Sequence, residues 1–140
     1  MITLVVDASV ASKWFLPEVH SDDALRLLDT PSRLLVPDLL YPEVGNTLWK
    51  RAGKKELSMG QVVEIIGALE ALPPTQFPTK PLMTAAFDIA CRTGRTVYDS
   101  VYLALAAHHD CRLVTADRRF FNALRKTPLE TLLLWVSDIQ

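Results

Sequence analysis

The chain has no surplus of positive charge: 15 Lys and Arg stand against 16 Asp and Glu, for a formal net charge of -1. That excludes a protein that gathers nucleic acid through a global basic field, so any contact with phosphates must be local. Cysteine is scarce as well. Cys91 and Cys111 form no C-x-x-C pair, and two thiols among 140 residues read as small buried hydrophobes in a reducing cytosol rather than a disulfide framework. No apolar run approaches the ~20 residues that span a membrane. The start, Met-Ile-Thr-Leu-Val-Val-Asp, lacks a basic n-region and a long apolar h-region, so a cytoplasmic protein without membrane association is expected. Internal repeats and low-complexity tracts are missing. Core-forming residues are plentiful: 49% hydrophobic against 22% charged is the composition of one globular domain over residues 1–140.

Along the chain, short apolar strands alternate with helical stretches. Ile2 to Val6 is a β-branched run, and Ala8 to Leu16 reads as a helix stopped by Pro17. Ser21 can cap a helix with Ala24, Leu25, Leu27 and Leu28 toward one side, before a second strand at Leu34 to Val36. Leu39 to Ala52 has helical spacing, with Leu40, Val44 and Leu48 on one face and Gly53 at its end, and a second helix from after Ser58 to Leu72 completes a hairpin. Pro73, Pro74, Pro78 and Pro81 bracket a short edge strand within Thr75 to Thr79. Pro81 and Gly94 delimit a further helix, and Tyr98 to His109 is a helix almost wholly apolar after Asp99. Leu113 to Ala116 reads as a strand, Phe120 to Leu124 as the start of a helix, and Leu132 to Val136 as the last strand. The alternation, with strands apolar on both faces, predicts an α/β fold with a mainly parallel sheet between helical layers.

In such sheets ligands bind beyond the carboxyl ends of the strands. Asp7 follows the first strand, Glu43 lies in the helix after the second, Asp99 heads the buried helix, and Asp117 follows the strand at Leu113 to Ala116. Carboxylates crowded at one place repel and are costly to desolvate unless a cation or protons neutralise them, so this set points to a divalent metal. Oxygen-only ligation suits Mg2+, with Mn2+ as a substitute, and leaves coordination positions for a phosphate and an attacking water. That is the chemistry of phosphodiester hydrolysis.

The phrases around these residues are Val-Val-Asp-Ala-Ser-Val, Pro-Asp-Leu-Leu-Tyr-Pro-Glu-Val-Gly-Asn-Thr-Leu, Tyr-Asp-Ser-Val-Tyr-Leu-Ala-Leu-Ala and Leu-Val-Thr-Ala-Asp-Arg-Arg-Phe. In order and spacing, from Val5 to about Phe120, they resemble the PIN-domain toxins of the VapC type. The resemblance implies a three-layer α/β/α domain, metal-dependent endoribonuclease activity on RNA, inhibition by a cognate antitoxin bound across the early helices, and a homodimer. It carries the four family carboxylates onto Asp7, Glu43, Asp99 and Asp117, and the supporting polar positions onto Ser9, Asn46 and Thr115. Many relatives carry another acidic residue shortly after the fourth carboxylate, where this chain has Arg118, Arg119 and Phe120. Whether one ion or two are used therefore stays open.

Taken singly, each residue has a plainer reading. Asp7 and Asp38 are good helix caps, and Asp99 suits the positive end of a helix dipole. Glu43 and Asn46 could be a solvated face, while Ser9 and Thr115 could merely satisfy backbone groups. The joint occurrence favours function for the carboxylates. His108 and His109 point about 100° apart on a helix and are poor joint ligands. Lys50, Arg51, Lys54 and Lys55 read as a solvated helix end, although Lys50 and Arg51 with Arg118 and Arg119 are candidates to guide RNA phosphates. Trp14, Phe15, Leu48 and Trp49 are core by default. Two other functional classes compete. A phospho-acceptor receiver-like signalling domain expects an acidic pair after its first strand, where Asp7 stands alone; a non-catalytic RNA-binding PIN module would tolerate loss of a carboxylate.

Overall fold

The computed structural model describes residues 1–72 and 74–139, so Pro73 and Gln140 lie outside the described residues. Strands β1 (Ile2–Val6), β2 (Ser32–Pro37), β3 (Thr75–Phe77), β4 (Arg112–Thr115) and β5 (Leu133–Trp135) form one sheet. Their order is β3-β2-β1-β4-β5, and every neighbouring pair is parallel. The mainly parallel sheet expected from the apolar runs is thus parallel throughout. Leu4, Val5, Val6, Leu34, Leu35, Val36, Leu113 and Val114 are all buried, as strands covered on both faces require.

The chain moves outward from β1 through β2 to β3, then crosses back to β4 and on to β5. The direction reverses between β1 and β4, and the crevice at the carboxyl ends of those two strands is where such sheets bind ligands. Right-handed crossovers put the helices linking β1 to β3 and those linking β3 to β4 on opposite faces, giving three layers. The first set is α1 (Ala8–Ala11), α2 (Ser21–Asp29), α3 (Leu40–Gly53) and α4 (Met59–Glu70). The second is α5 (Met83–Thr93) and α6 (Val97–His108), and α7 (Arg118–Ala123) joins β4 to β5. From Ser100 to Ala106 every residue of α6 is buried, and the helix packs on β1, β2 and β4 with α5 alongside. Among the described residues no helix is long and apolar enough to cross a membrane.

Several local expectations differ in detail. The first helix ends at Ala11 and tightens into a 3-10 turn over Ser12–Trp14, where the Trp14 indole donates to the Ala24 carbonyl at 2.9 Å and so ties the turn to α2. Ser21 opens α2 without capping it: its hydroxyl accepts from the Glu18 amide and donates to the Leu16 carbonyl, while left-handed His20 takes the cap position. Only Ala24 and Leu27 of the expected apolar face are buried, because α2 offers the core one narrow side. Gly53 is the last residue of α3, and the left-handed turn falls at Lys55 instead. Trp49, expected in the core beside Leu48, is 70% exposed, since one-residue spacing on a helix rotates it off the buried face. The α4 cap forms as expected, with a reciprocal Ser58–Gln61 capping box.

Gly94 ends α5 in the left-handed region at φ +73, one residue before the segment that leads into α6. A Cβ there would meet no atom within 4 Å, so the penalty for a side chain is purely conformational. Gly94→Ala should lower the unfolding free energy by about 1 kcal/mol in urea denaturation. An unchanged midpoint would contradict that assignment.

Candidate active site

Asp7 is the first residue past β1 and the N-cap of α1. Its Oδ1 accepts from the Val10 amide at 3.1 Å and from the Ser9 hydroxyl at 2.6 Å. Ser9 in turn accepts from the Ala116 amide at 2.9 Å, and its oxygen lies 3.5 Å from that of Thr115. Thr115 accepts from the Asp117 amide at 3.1 Å, and Asp117 caps α7 by accepting from the Phe120 amide at 3.1 Å. One short polar chain therefore joins the ends of β1 and β4 and fixes Asp7 and Asp117 as neighbours. Both aspartates do cap helices, and the capping is what points them: a cap holds its carboxylate at the strand end, against the positive end of a helix dipole.

The other two carboxylates approach from α3 and α6. Glu43, in the first turn of α3, accepts from the Tyr102 hydroxyl at 2.6 Å. Asp99, in the first turn of α6, has its amide on the Thr96 hydroxyl, and its Oδ2 accepts from Arg95 Nη2 at 2.9 Å. Asp38, by contrast, is occupied elsewhere, accepting from the Thr79 amide and hydroxyl and so tying β2 to the segment after β3.

The electrostatics show what this assembly costs. Asp7 is 5% exposed, and burial pushes its pKa up to about 6 against the opposing hydrogen bonds, with the Asp117 charge adding to the rise. Burial raises Glu43 as well, with the Asp99 charge contributing. Asp99 is raised chiefly by burial and further by Asp117, while Arg95 lowers it. Tyr102 is pushed far above its ordinary value by burial and then by Glu43, so it remains a proton donor. The Asp117 charge thus reaches Asp7 and Asp99, and that of Asp99 reaches Glu43.

Do these residues suit a divalent cation? The donors are all oxygen, mutually repelling and poorly hydrated, which is the charge imbalance a hard cation relieves. Among the described residues, no three Asp, Glu, His or Cys side chains already converge as a ready-made cage. The set fits in charge and donor chemistry, and closure of the ligand sphere is left to the ion.

Beside the carboxylates runs a groove of about 600 Å³, lined in part by Ser9, Lys13, Glu18, Glu43, Asn46 and Tyr98. Asn46 therefore faces the same opening as Glu43. Of the candidate basic residues, Lys50 and Arg119 are exposed, whereas Arg51 is paired with Glu18 and Glu56 and Arg118 lies over the Trp135 ring, 3.8 Å from its centroid. Glu18 also binds Lys13 at 3.4 Å, so one carboxylate shares two cations at the wall of the groove. Tyr102, Arg95 and Lys13 were not singled out from the sequence. Each had a signal: a hydroxyl inside an apolar helix, an Arg four residues before Asp99, and a Lys in a turn followed by Trp14 and Phe15.

With Asp7 raised in the folded state, folding favours its neutral form. Stability from this group is present in full below about 4 and is lost as pH rises through about 6, up to an order of ~3 kcal/mol. In EDTA the wild type should therefore become more stable as pH falls from 7 to 5, and Asp7→Asn should flatten that slope. The check is urea unfolding at each pH. A wild type whose stability falls over that interval would contradict the buried, repelled carboxylate.

The PIN domain family matches residues 4–126. Among curated proteins, the chain is 34% identical over 120 residues to ribonuclease VapC3 of Pyrobaculum aerophilum, covering 83% of this chain and 90% of that one. It is 33% identical over 116 residues to ribonuclease VapC9 of Mycobacterium tuberculosis, covering 83% and 87%. Among solved structures, PAE2754 of Pyrobaculum aerophilum superposes with a TM-score of 0.70 at 24% identity, over 96% of this chain and 91% of that one. The toxin–antitoxin complex from Klebsiella pneumoniae gives 0.67 at 15% identity, over 97% and 99%. The family match runs from within β1 to beyond α7, the solved structures share the fold over nearly the whole chain, and the chain belongs to the PIN domain family.

Proposed function

We propose that this chain is a metal-dependent endoribonuclease, the toxin of a toxin–antitoxin pair. The observation that carries the reading is the polar chain Asp7–Ser9–Thr115–Asp117, which holds two aspartates at the switch point of a parallel sheet, with Asp99 within electrostatic reach of Asp117 and Glu43 of Asp99. The names of the curated relatives, ribonucleases, and the toxin–antitoxin assemblies among the solved structures support it.

In this reading Asp7, Asp99 and Asp117 hold Mg2+ or Mn2+, and Glu43 completes the site directly or through water. The ion, when bound, supplies Lewis-acid stabilisation of the phosphate and a more acidic attacking water. The contribution of the protein is placement. Ser9 and Thr115 orient Asp7 and Asp117 through hydrogen bonds, and Tyr102 orients Glu43, the usual duty of groups behind a metal ligand. The groove accepts the RNA strand, with Asn46 on its wall and Lys13 beside it in its pair with Glu18. Lys50 and Arg119 are free to meet phosphates, whereas Arg51 and Arg118 are already engaged and would have to leave their partners. A cognate antitoxin covers the apolar surface of the early helices, where Trp49 is exposed, and the toxin pairs as a homodimer. No protein nucleophile is required. The non-catalytic reading would be favoured by loss of a family carboxylate, and none is lost, while Asp7 without an acidic neighbour in sequence speaks against a receiver.

Purified without its partner, the chain should cleave RNA with Mg2+ or Mn2+ and stop in excess EDTA. Asp7→Asn and Asp117→Asn should reduce the rate roughly 100-fold or more, and Tyr102→Phe by roughly tenfold. Undiminished cleavage in EDTA would overturn the mechanism.

A further inference from the structure

We infer that Arg95 is a positioning residue for metal loading: its guanidinium serves as the resident cation of Asp99 in the metal-free protein and is displaced when a divalent ion takes that carboxylate. The inference rests on the reading that the four carboxylates hold such an ion.

Of those four, Asp99 alone carries an ion pair to Lys, Arg or His among the described residues, with Arg95 Nη2 at 2.9 Å from Oδ2 and both side chains about three-quarters buried. The guanidinium also lies over the ring of Phe120, 5.4 Å from its centroid. Phe120 belongs to α7, whose cap is Asp117, so Arg95 sits between the two helices that present Asp99 and Asp117. Its backbone is pinned, because the Arg95 amide donates to the Thr93 hydroxyl at 3.1 Å beside the Gly94 turn, so exchange needs only a side-chain movement. Arg95 is also incompletely satisfied: its Nε is buried without a hydrogen-bond partner, a desolvation cost tolerated while the charge on Asp99 needs a counterion. The arrangement has the correct sign. A cluster that repels itself is held by a single positive charge until a double one arrives, and the ion must compete with that single charge for Asp99.

The alternative role, an Arg that keeps Asp99 aimed at the metal, predicts the opposite effect on affinity. The experiment measures Mn2+ binding by electron paramagnetic resonance for wild type, Arg95→Leu, Arg95→Gln and Asp99→Asn; Leu can still pack on Phe120 and Gln tests the same loss of charge with a polar chain. Both Arg95 variants should bind Mn2+ roughly tenfold more tightly, the equivalent of one charge-assisted hydrogen bond no longer surrendered on loading. A nuclear magnetic resonance readout adds the movement itself: the Arg95 guanidinium signal should shift and lose its hindered rotation when Mg2+ saturates the wild type. Unchanged or weaker Mn2+ binding in the Arg95 variants, or an Arg95 signal indifferent to Mg2+, overturns the inference. If Asp99→Asn binds Mn2+ as the wild type does, the metal assignment at Asp99 fails and the inference with it. If Asp99→Asn loses binding while the Arg95 variants match the wild type, only the inference fails.

Discussion

The Ser9 hydroxyl donates to Asp7 and accepts from the Ala116 amide, and so ties the loops that leave the paired strands β1 and β4 where the sheet reverses its direction. The rest of the site follows from this constraint. With β1 and β4 paired in parallel, Asp7 and Asp117 emerge on the same edge, and each caps the helix that follows its strand. Helix α6, buried from Ser100 to Ala106, is inserted with its first turn at that edge and brings Asp99 with it. Tyr102, three residues further along the same helix, reaches across to Glu43 on α3. Asp7 and Asp117 are thereby held at one edge of the sheet, with Asp99 acting on Glu43 and acted on by Asp117 through their charges.

That commitment opposes stability. Like charges held near one another in partial burial raise one another's pKa, and a folded state that must carry them is weakened unless something positive joins them. Such local conflict between folding and charge is expected where a site serves chemistry rather than the core. Around the crevice the chain meets it with a few hydrogen bonds, Ser9 and the Val10 amide on Asp7 and Tyr102 on Glu43, and with one guanidinium on Asp99. These orient and partly neutralise the cluster without filling it. The near-zero net charge of the whole chain fits this local economy, because Lys13, Arg51 and Arg118 are drawn onto Glu18, Glu56 and Trp135 rather than spread as a general basic surface.

Much of the fold was legible in the sequence because the relevant patterns are local. Ile2 to Val6, Leu34 to Val36 and Leu113 to Ala116 are apolar on both faces, which only a covered parallel sheet accommodates, and each is followed by an acidic residue at its carboxyl end or just beyond. Pro81, Gly94 and Ser58 mark helix ends by the same local chemistry. What was not legible depends on contacts between distant residues. Nothing near Trp49 in sequence says that α3 turns it to solvent, and nothing near Arg51 reveals that Glu18, 33 residues away, engages it. Tyr102 on Glu43 spans 59 positions, and its hydroxyl is hidden in a helix that reads as pure core. The pairing of Arg95 with Asp99 is local, four residues apart, but a charge beside a helix start is ordinary, and only its burial against Phe120 sets it apart.

The central claim is that the carboxylates are a single electrostatic unit whose burial is relieved by a divalent cation. The most direct test is thermal unfolding of wild type and Asp7→Asn at pH 7.5, each in EDTA and in saturating Mg2+. The account predicts that Asp7→Asn is at least as stable as the wild type in EDTA, and that Mg2+ raises the Tm of the wild type while leaving the variant nearly unmoved, because an ion that binds only the folded state stabilises it in proportion to its affinity. An Asp7→Asn protein that is markedly less stable in EDTA and still gains the full Mg2+ shift would contradict it, and would reduce Asp7 to a helix cap.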